Sequence, residues 1–229
     1  MSERMGGATL SFTGSQEMIG THELFLNSLA GFAERMEFAM KQLDSVEKAV
    51  EQFDFLDGIA SSLAKAVGKA VDPRPVRNLL SGTVIGHPLH PVLTDLPIGA
   101  WTMAALLDLA GGRSSEPATD LLVIAGIATA VPTAAAGLND WSDTEGKTQR
   151  TGIVHGLANS AALCFYLSST IARRSGQRGL GKALGLAGFG LVTFGGYLGG
   201  HLTYADAVNV NKTADRRRPR KVDLRARRR

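Results

Sequence analysis

Cysteine is almost absent from this chain of 229 residues, since Cys164 is its single instance, and only 6% of the residues are aromatic. One cysteine excludes disulfide frameworks, cysteine-ligated zinc sites and any self-contained iron–sulfur cluster. The 27 glycines form no P-loop or Rossmann pattern, and the first twenty residues do not predict a signal peptide. These absences exclude several kinds of site but do not identify a reaction.

The basic charge of the chain is concentrated at its C-terminal end. The formal net charge is +4, yet residues 216–229 alone hold nine Lys/Arg and one acid. The rest of the chain is therefore net acidic. We interpret residues 213–229 as a basic disordered tail that determines membrane topology. Binding of this tail to anionic lipid or to nucleic acid is the weaker alternative. We therefore expect no specific nucleic-acid partner.

Long stretches of the second half carry almost no charge. Asp, Glu, Lys and Arg are absent from residues 121–138, 151–172 and 183–205. A spanning helix needs about 20 mostly apolar residues, so this pattern favours an integral membrane domain over a soluble Ala/Gly-rich bundle. We predict an all-α fold whose membrane domain is residues 73–212, with four transmembrane helices at about 90–110, 119–138, 152–172 and 181–202. The lipid bilayer is then its first partner.

Orientation follows from the positive-inside rule, which places Lys/Arg-rich ends in the cytoplasm. Four spans put both termini on one side, and the Arg-rich tail favours that side as cytoplasmic. We therefore expect a multi-pass protein of the cell inner membrane with cytoplasmic termini. Pro97 and Pro132 fall inside the first two spans, where each frees a carbonyl that needs another donor.

Glycine spacing in the fourth span is typical of close helix packing in membranes, where small residues four apart let two backbones approach. The glycines concerned are Gly181 with Gly185, Gly195 with Gly199, and Gly196 with Gly200.

The N-terminal part is predicted to be disordered over residues 1–20 and to form one cytoplasmic amphipathic helix over 21–72, ended by Asp72-Pro73. Apolar residues follow a heptad pattern along it: Leu29, Phe32, Met36, Ala39, Leu43, Val46, Val50 and Phe53. Such a coiled-coil-like seam fits either docking on the same protein or self-association. We expect a homo-oligomer, or a membrane or redox protein partner, bound through residues 24–71.

Four of the five histidines fall at one predicted membrane depth. His87 and His90 begin the first span, His155 begins the third, and His201 ends the fourth. Because these spans alternate in direction, all four imidazoles lie on the side of the termini. Imidazole is a favoured ligand of zinc, copper, iron and nickel, and ionisable groups inside a membrane are functional candidates by default. Neighbouring polar groups could support the ligands: Asp95, Asp140, Asn159 and Tyr197.

The alternative is that the histidine layer is structural, because polar residues at helix ends also satisfy headgroups and helix termini. We keep three functions in order. The first is a metal- or haem-binding accessory component of a redox system, with His87, His90, His155 and His201 as ligands. The second is a non-catalytic membrane scaffold or anchor that works through its N-terminal helix. The third is a small transporter with a proton path.

Four ordered motifs resemble a bacterial membrane family catalogued as domain of unknown function 2231. They are Gly86-His-Pro-Leu-His-Pro91 with its flanks, Gly137-Leu-Asn-Asp-Trp-Ser-Asp143, His155-Gly-Leu-Ala-Asn159 and Gly195-Gly-Tyr-Leu-Gly-Gly-His-Leu202. The resemblance implies a four-helix integral membrane domain, and it implies redox work because relatives are often associated with Rieske-type iron–sulfur domains. This chain lacks the two cysteines that a Rieske centre needs, so a redox role requires a partner.

Overall fold

The computed structural model describes residues 14–210, and all regular structure in that range is helical. The first helix, α1, is Gly14–Glu51. It includes residues 14–20, which we expected to be irregular; the run Ser-Gln-Glu-Met-Ile has good average helix propensity, and Gly20 alone does not end the helix. Residues 1–13 and the basic tail from 211 onward lie outside the described residues.

The chain divides into two units after Val46, the first of which consists of the N-terminal part of α1. Within that unit, the heptad positions Leu29, Phe32, Met36 and Val46 are 42–61% exposed. These four positions of the predicted seam are therefore exposed, whereas Leu43 is half-buried and Val50, in the second unit, is buried. An exposed apolar stripe of this kind is a candidate surface for association.

The single helix expected over residues 21–72 is instead broken. After α1 the chain makes a 3₁₀ turn at Asp54–Leu56, and a second helix, α2, runs Asp57–Ala70. Phe53 has non-helical backbone angles, with φ −78° and ψ 62°. The break lets Ala60 and Ala64 of α2 pack on Trp141, and this tertiary contact takes precedence over the weaker continuation of the heptads. A short helix that the sequence did not predict, α3, follows at Arg74–Leu80.

Four long helices form the main bundle: α4 (Leu89–Ala110), α5 (Glu116–Trp141), α6 (Gly146–Arg174) and α7 (Arg178–Tyr204). They coincide with the four predicted spans and extend them by a few residues. Short connections make α4 with α5, and α6 with α7, two antiparallel hairpins that pack most extensively within themselves. In the bundle α4 and α6 therefore lie diagonally opposite each other.

Three stretches of the described chain are long and apolar enough to cross a membrane: Leu89–Ala110, Arg113–Trp141 and Arg178–Tyr204. The third predicted span, α6, falls short of this level of hydropathy. Its reduced hydropathy has a clear source, because polar side chains such as Asn159, Ser169 and Arg173 lie on its inward face.

The core of the bundle is built from small and aromatic side chains. Trp101 of α4 and Tyr166 of α6 stack with ring centroids 4.1 Å apart and planes tilted by 8°. Ala104, Val123, Ala162 and Val192 complete the buried cluster. The small residues allow close helix approach, and the outer surface carries many exposed Leu, Ile and Val side chains, as expected where the solvent is lipid.

The carbonyl that Pro97 leaves without a donor in its own helix is that of Leu93. Thr133 of α5 compensates, because its Oγ1 lies 3.2 Å from Leu93 O. The need for an outside partner predicted from the proline is thus met by the neighbouring helix, which ties α4 to α5 near the histidine end.

Candidate functional site at the histidine end of the bundle

Two of the predicted histidines meet inside the bundle. His90 near the start of α4 and His155 near the start of α6 approach each other across the diagonal, with ring centroids 6.3 Å apart and planes at 87°. Both side chains are half-buried. The pair therefore lies between the two hairpins, at the end of the bundle where the sequence placed the histidine layer.

Each imidazole is fixed by a backbone carbonyl of the partner helix in its own hairpin. His90 Nδ1 lies 2.9 Å from Thr133 O on α5, and His155 Nδ1 lies 2.8 Å from Gly195 O on α7. A carbonyl oxygen can only accept, so each Nδ1 carries the proton and each Nε2 keeps a lone pair when the ring is neutral. This is the arrangement by which proteins orient a metal-ligating histidine.

Glycines on α5 and α7 make this approach possible. A Cβ at Gly137 would lie 2.8 Å from His90 Cε1, and one at Gly199 would lie 3.0 Å from His155 Cε1. Real Cβ contacts essentially never come below 3.0 Å, so a side chain at Gly137 would displace the His90 ring. Gly137 is therefore required by the position of the His90 ring, whereas a side chain at Gly199 would make a tight contact with His155.

Polar residues one turn further along support both histidines. Thr94 Oγ1 donates to His90 O at 2.7 Å, and Asn159 Nδ2 donates to His155 O at 2.9 Å. The same Asn159 Nδ2 lies 3.3 Å from His155 Nε2, so this amide is next to the nitrogen with the lone pair. Asn159 was predicted as an auxiliary residue, whereas Thr94 was missed because a threonine in an apolar helix usually only bonds back to its own chain.

The remaining predicted site residues differ in exposure and in their contacts. His87 and Asp95 have exposed side chains, and Tyr197 is half-buried. His201 Nε2 is 3.9 Å from Asp206 Oδ1, and Asp140 accepts a hydrogen bond from Asn139 Nδ2 at 3.0 Å. Among residues 14–210, no group of three or more His, Cys, Asp or Glu side chains is arranged to hold a metal ion.

The predicted packing glycines of α7 divide into two sets. A Cβ at Gly181, Gly185, Gly195 or Gly199 would meet α6, whereas one at Gly196 or Gly200 would find nothing within 4 Å. Close approach of α6 and α7 therefore depends on the first four, which lie on the inward face of α7. One of them, Gly195, also supplies the carbonyl that holds His155.

The two hairpins repeat each other across a pseudo-two-fold axis. Three pairs of side chains meet between α4 and α6, and the members of every pair are 65 positions apart: His90 with His155, Trp101 with Tyr166, and Asp108 with Arg173. The repeat extends to the partner helices, because Gly126 and Gly137 of α5 face Trp101 and His90 as Gly188 and Gly199 of α7 face Tyr166 and His155. The histidine pair therefore lies on the axis, at the interface of two equivalent halves.

A charged network closes the opposite end of the bundle. The buried guanidinium of Arg173 binds both carboxylate oxygens of Asp108, with Nη1 3.1 Å from Oδ1 and a shorter pair between Nη2 and Oδ2. Asp120 of α5 joins Arg173 at 3.4 Å and Arg178 of α7 at 2.7 Å. Each of the four helices thus contributes at least one charge.

This network was not predicted from the sequence. Asp108 falls inside the first predicted span, and Arg173 lies one residue beyond the third, which was expected to end at 172, whereas α6 extends to Arg174. The signal was the spacing: Asp108 and Arg173 are each 18 residues beyond a site histidine, about 27 Å along an α-helix. That distance is close to the thickness of the hydrocarbon core, about 30 Å.

Residues 86–212 match the model of the family described as Predicted membrane protein (DUF2231). The chain belongs to this family. The family domain contains all four helices of the bundle, the histidine pair and the charged network, whereas α1, α2 and α3 precede it. No curated protein and no solved structure matches the chain. The family description states membrane location and no activity, so any activity has to be argued from the site.

Proposed function

We propose that this DUF2231 protein holds a transition metal, as a bound ion or as haem iron, between His90 and His155, and serves as an accessory component of a redox system. The observation that carries the proposal is the pair of opposed imidazoles, each oriented through Nδ1 by a backbone carbonyl. The Nε2 atoms of the two rings are the ones that would bind the metal, and the Asn159 amide, 3.3 Å from His155 Nε2, would give way to it. Imidazole nitrogen suits zinc, copper, iron and nickel.

The surrounding residues fit this role. Gly137 and Gly199 fix where the rings lie, Thr94 and Asn159 bond the carbonyls of the two histidines, and the axis position gives both halves equal access to one ligand. When bound, the metal would supply the redox chemistry, and the chain would orient it and limit its contact with water. His87 and His201 complete the ligand set proposed from the sequence, and they are assigned to it only through their membrane depth.

Between the two cofactor forms, the packing favours a small ion. The His90 ring lies against Gly137 and the His155 ring against Gly199, so the backbones of α5 and α7 occupy space beside both rings. A porphyrin extends far beyond two imidazoles in its own plane, and it would need these helices to separate. A single ion needs no such change.

Four spans, the inner membrane and cytoplasmic termini belong to the same proposal. Although α6 is less apolar, it has 29 residues, packs against both α5 and α7, and buries the side chains of Ser169 and Arg173. A helix of that kind can cross a bilayer when its polar face is covered by other helices. Accessibility of a C-terminal tag in spheroplasts and in inverted vesicles tests the orientation.

The deciding experiment is an absorbance spectrum with metal analysis on detergent-purified protein. We expect near-stoichiometric metal, or a Soret band if the iron is carried by haem. The His90→Ala and His155→Ala variants should each lose the metal or haem. The control is Ser160→Ala, an exposed site on the helix that carries His155, and this variant should keep the cofactor. A folded wild-type protein that is colourless and metal-free, and that takes up neither copper, zinc, iron nor haem, would contradict the proposal.

A scaffold function is the second candidate, and the open apolar stripe of α1 favours it. Self-association through this stripe predicts that Phe32→Glu or Met36→Glu lowers the molar mass measured by light scattering. Glu34→Gln, a polar exposed site on the same helix, is the control. An unchanged mass in all three variants would count against association through α1.

A further inference from the structure

Helix α2 has three distinct sides. One side, with the buried Ala60 and Ala64, packs on Trp141 at the end of the bundle. A second side, roughly a quarter-turn away, carries Ile59 and Leu63, which are 61% and 47% exposed. The third side is polar and includes Ser62, Lys65 and Lys69. Contact with the bundle therefore explains only one of the two apolar sides of α2.

The exposed apolar surface continues along the chain toward the membrane domain. Val76 and Leu79 of α3 and then Val84 and Ile85 of the following turn have exposed side chains, with Val84 at 74%. Only a few residues later, Val92 on the outer face of α4 is exposed as well. Residues 57–88, which we call the cap, thus carry exposed apolar side chains up to the point where α4 and its exposed apolar face begin.

Ion pairs connect the cap and the turn before it to the bundle. Arg150 of α6 binds Asp54 and Asp57 at 2.6 and 3.0 Å, on either side of the start of α2. Arg77 of α3 binds Asp143 at 2.9 Å. These contacts fix which side of the cap faces outward.

The charges of the cap match an anionic surface. Four of its five charged side chains beyond Asp57 are basic, namely Lys65, Lys69, Arg74 and Arg77, against Asp72. This differs from α1, whose acidic side chains oppose binding to anionic lipid. Basic residues beside an exposed apolar flank are typical of helices that lie in the membrane interface.

We propose that the cap is an in-plane membrane element, with Ile59, Leu63, Leu79, Val84 and Ile85 in the boundary between headgroups and acyl chains and with Lys65 and Lys69 at anionic headgroups. The occupant of this surface is the bilayer that surrounds the bundle, because the cap leads directly into the apolar helix α4 and carries basic side chains beside its exposed apolar ones. The cap would then enclose the histidine end of the bundle together with lipid.

Site-specific fluorescence tests the proposal on the full-length chain. Cys164 is the single cysteine, so Cys164→Ser gives a background in which Leu63→Cys, Val84→Cys or the polar-side control Ser62→Cys is labelled with an NBD dye. The proteins are reconstituted into vesicles of phosphatidylcholine and phosphatidylglycerol, and folding is checked by size exclusion before labelling.

The expected result is blue-shifted emission at positions 63 and 84 that is quenched by lipids with a doxyl group near the headgroup. Position 62 should emit as in water and be quenched by iodide. The proposal is overturned if 63 and 84 behave as 62 does. It is also overturned if their emission is blue-shifted but insensitive to doxyl lipid and dependent on protein concentration, since that identifies a second copy as the occupant.

Discussion

Breaking the ion pair between Asp108 and Arg173 should destabilise the bundle strongly. The Arg173 side chain is 1% exposed and that of Asp108 4%, so Arg173→Leu leaves a carboxylate buried without its bidentate partner. Removing one member of a buried pair costs about 3–5 kcal/mol. Arg173→Leu also leaves Ser169 and Gly181 O without a donor that they contact at 3.0 and 3.5 Å. We therefore expect a value in the upper part of that range.

The assay is thermal unfolding in a mild detergent, followed by intrinsic tryptophan fluorescence and by loss of the monodisperse peak in size exclusion. For a domain of 150–250 residues, 3–5 kcal/mol corresponds to a fall in Tm of about 6–20 °C. The control is Arg174→Leu, because Arg174 is the next residue on the same helix and its side chain is exposed. Arg174→Leu should change the free energy of unfolding by less than about 1 kcal/mol.

A double variant separates the cost of a stranded charge from the value of the pair itself. Replacing both groups, as in Asp108→Leu with Arg173→Leu, removes the buried charges together, and such replacements are often neutral or stabilising. The double variant should therefore be more stable than Arg173→Leu alone. The reasoning fails if Arg173→Leu is no more destabilising than Arg174→Leu, or if the two single effects simply add.

Three further predictions concern packing and surface charge. Gly126→Ala should destabilise the bundle by about 1–3 kcal/mol, because the new Cβ would clash with the Trp101 indole. Gly190→Ala is the control, because open space surrounds Gly190, and it should leave Tm unchanged or raise it. Tyr166→Phe should be neutral or should raise Tm by the equivalent of about 1 kcal/mol, since no group in the described chain bonds the buried Tyr166 hydroxyl, and a fall in Tm would reveal a partner. Arg150→Ala should lower the free energy of unfolding by about 1 kcal/mol or less, because the carboxylates that Arg150 binds are exposed. The difference from wild type should shrink at high salt, and a large loss of stability that does not depend on salt would contradict this.

Sequence reasoning predicted the four helices of the bundle well because their signal is local. Each is a long stretch with little charge, and both ends are marked by charged or helix-breaking residues. The partner that Pro97 requires could also be anticipated, but Thr133 could not be identified as that partner, since the contact joins residues 40 positions apart. The prediction of one continuous N-terminal helix was wrong for a similar reason. Ala60 packs on the bundle through a tertiary contact, and heptad spacing gives no information about such contacts.

Chain direction predicts that His90 and His155 lie at the same end of the bundle, and the two rings do meet there. The membership of His87 and His201 in the same site stays a prediction. Which face of a helix each histidine occupies depends on helix rotation, which the apolar runs do not specify. His87 is only three positions from His90, but it lies in the bend before α4 begins at Leu89, and its side chain is exposed.

The pseudo-two-fold axis gives a reason to look for function at the histidine end rather than at the charged end. At the charged end the equivalent positions have become complementary, Asp108 on one half and Arg173 on the other, and complementary groups satisfy each other without a ligand. At the histidine end both positions carry the same residue, held by the same kind of bond to a backbone carbonyl. Two identical imidazoles, each with its proton on Nδ1, cannot bond each other through Nε2, because each offers a lone pair there and no proton. Asn159 Nδ2 lies 3.3 Å from one of these atoms, His155 Nε2. Under the proposed function a metal ion would replace this contact and join the two rings, and ligand sites at the interface of two repeats are a recurrent feature of membrane proteins built from repeats.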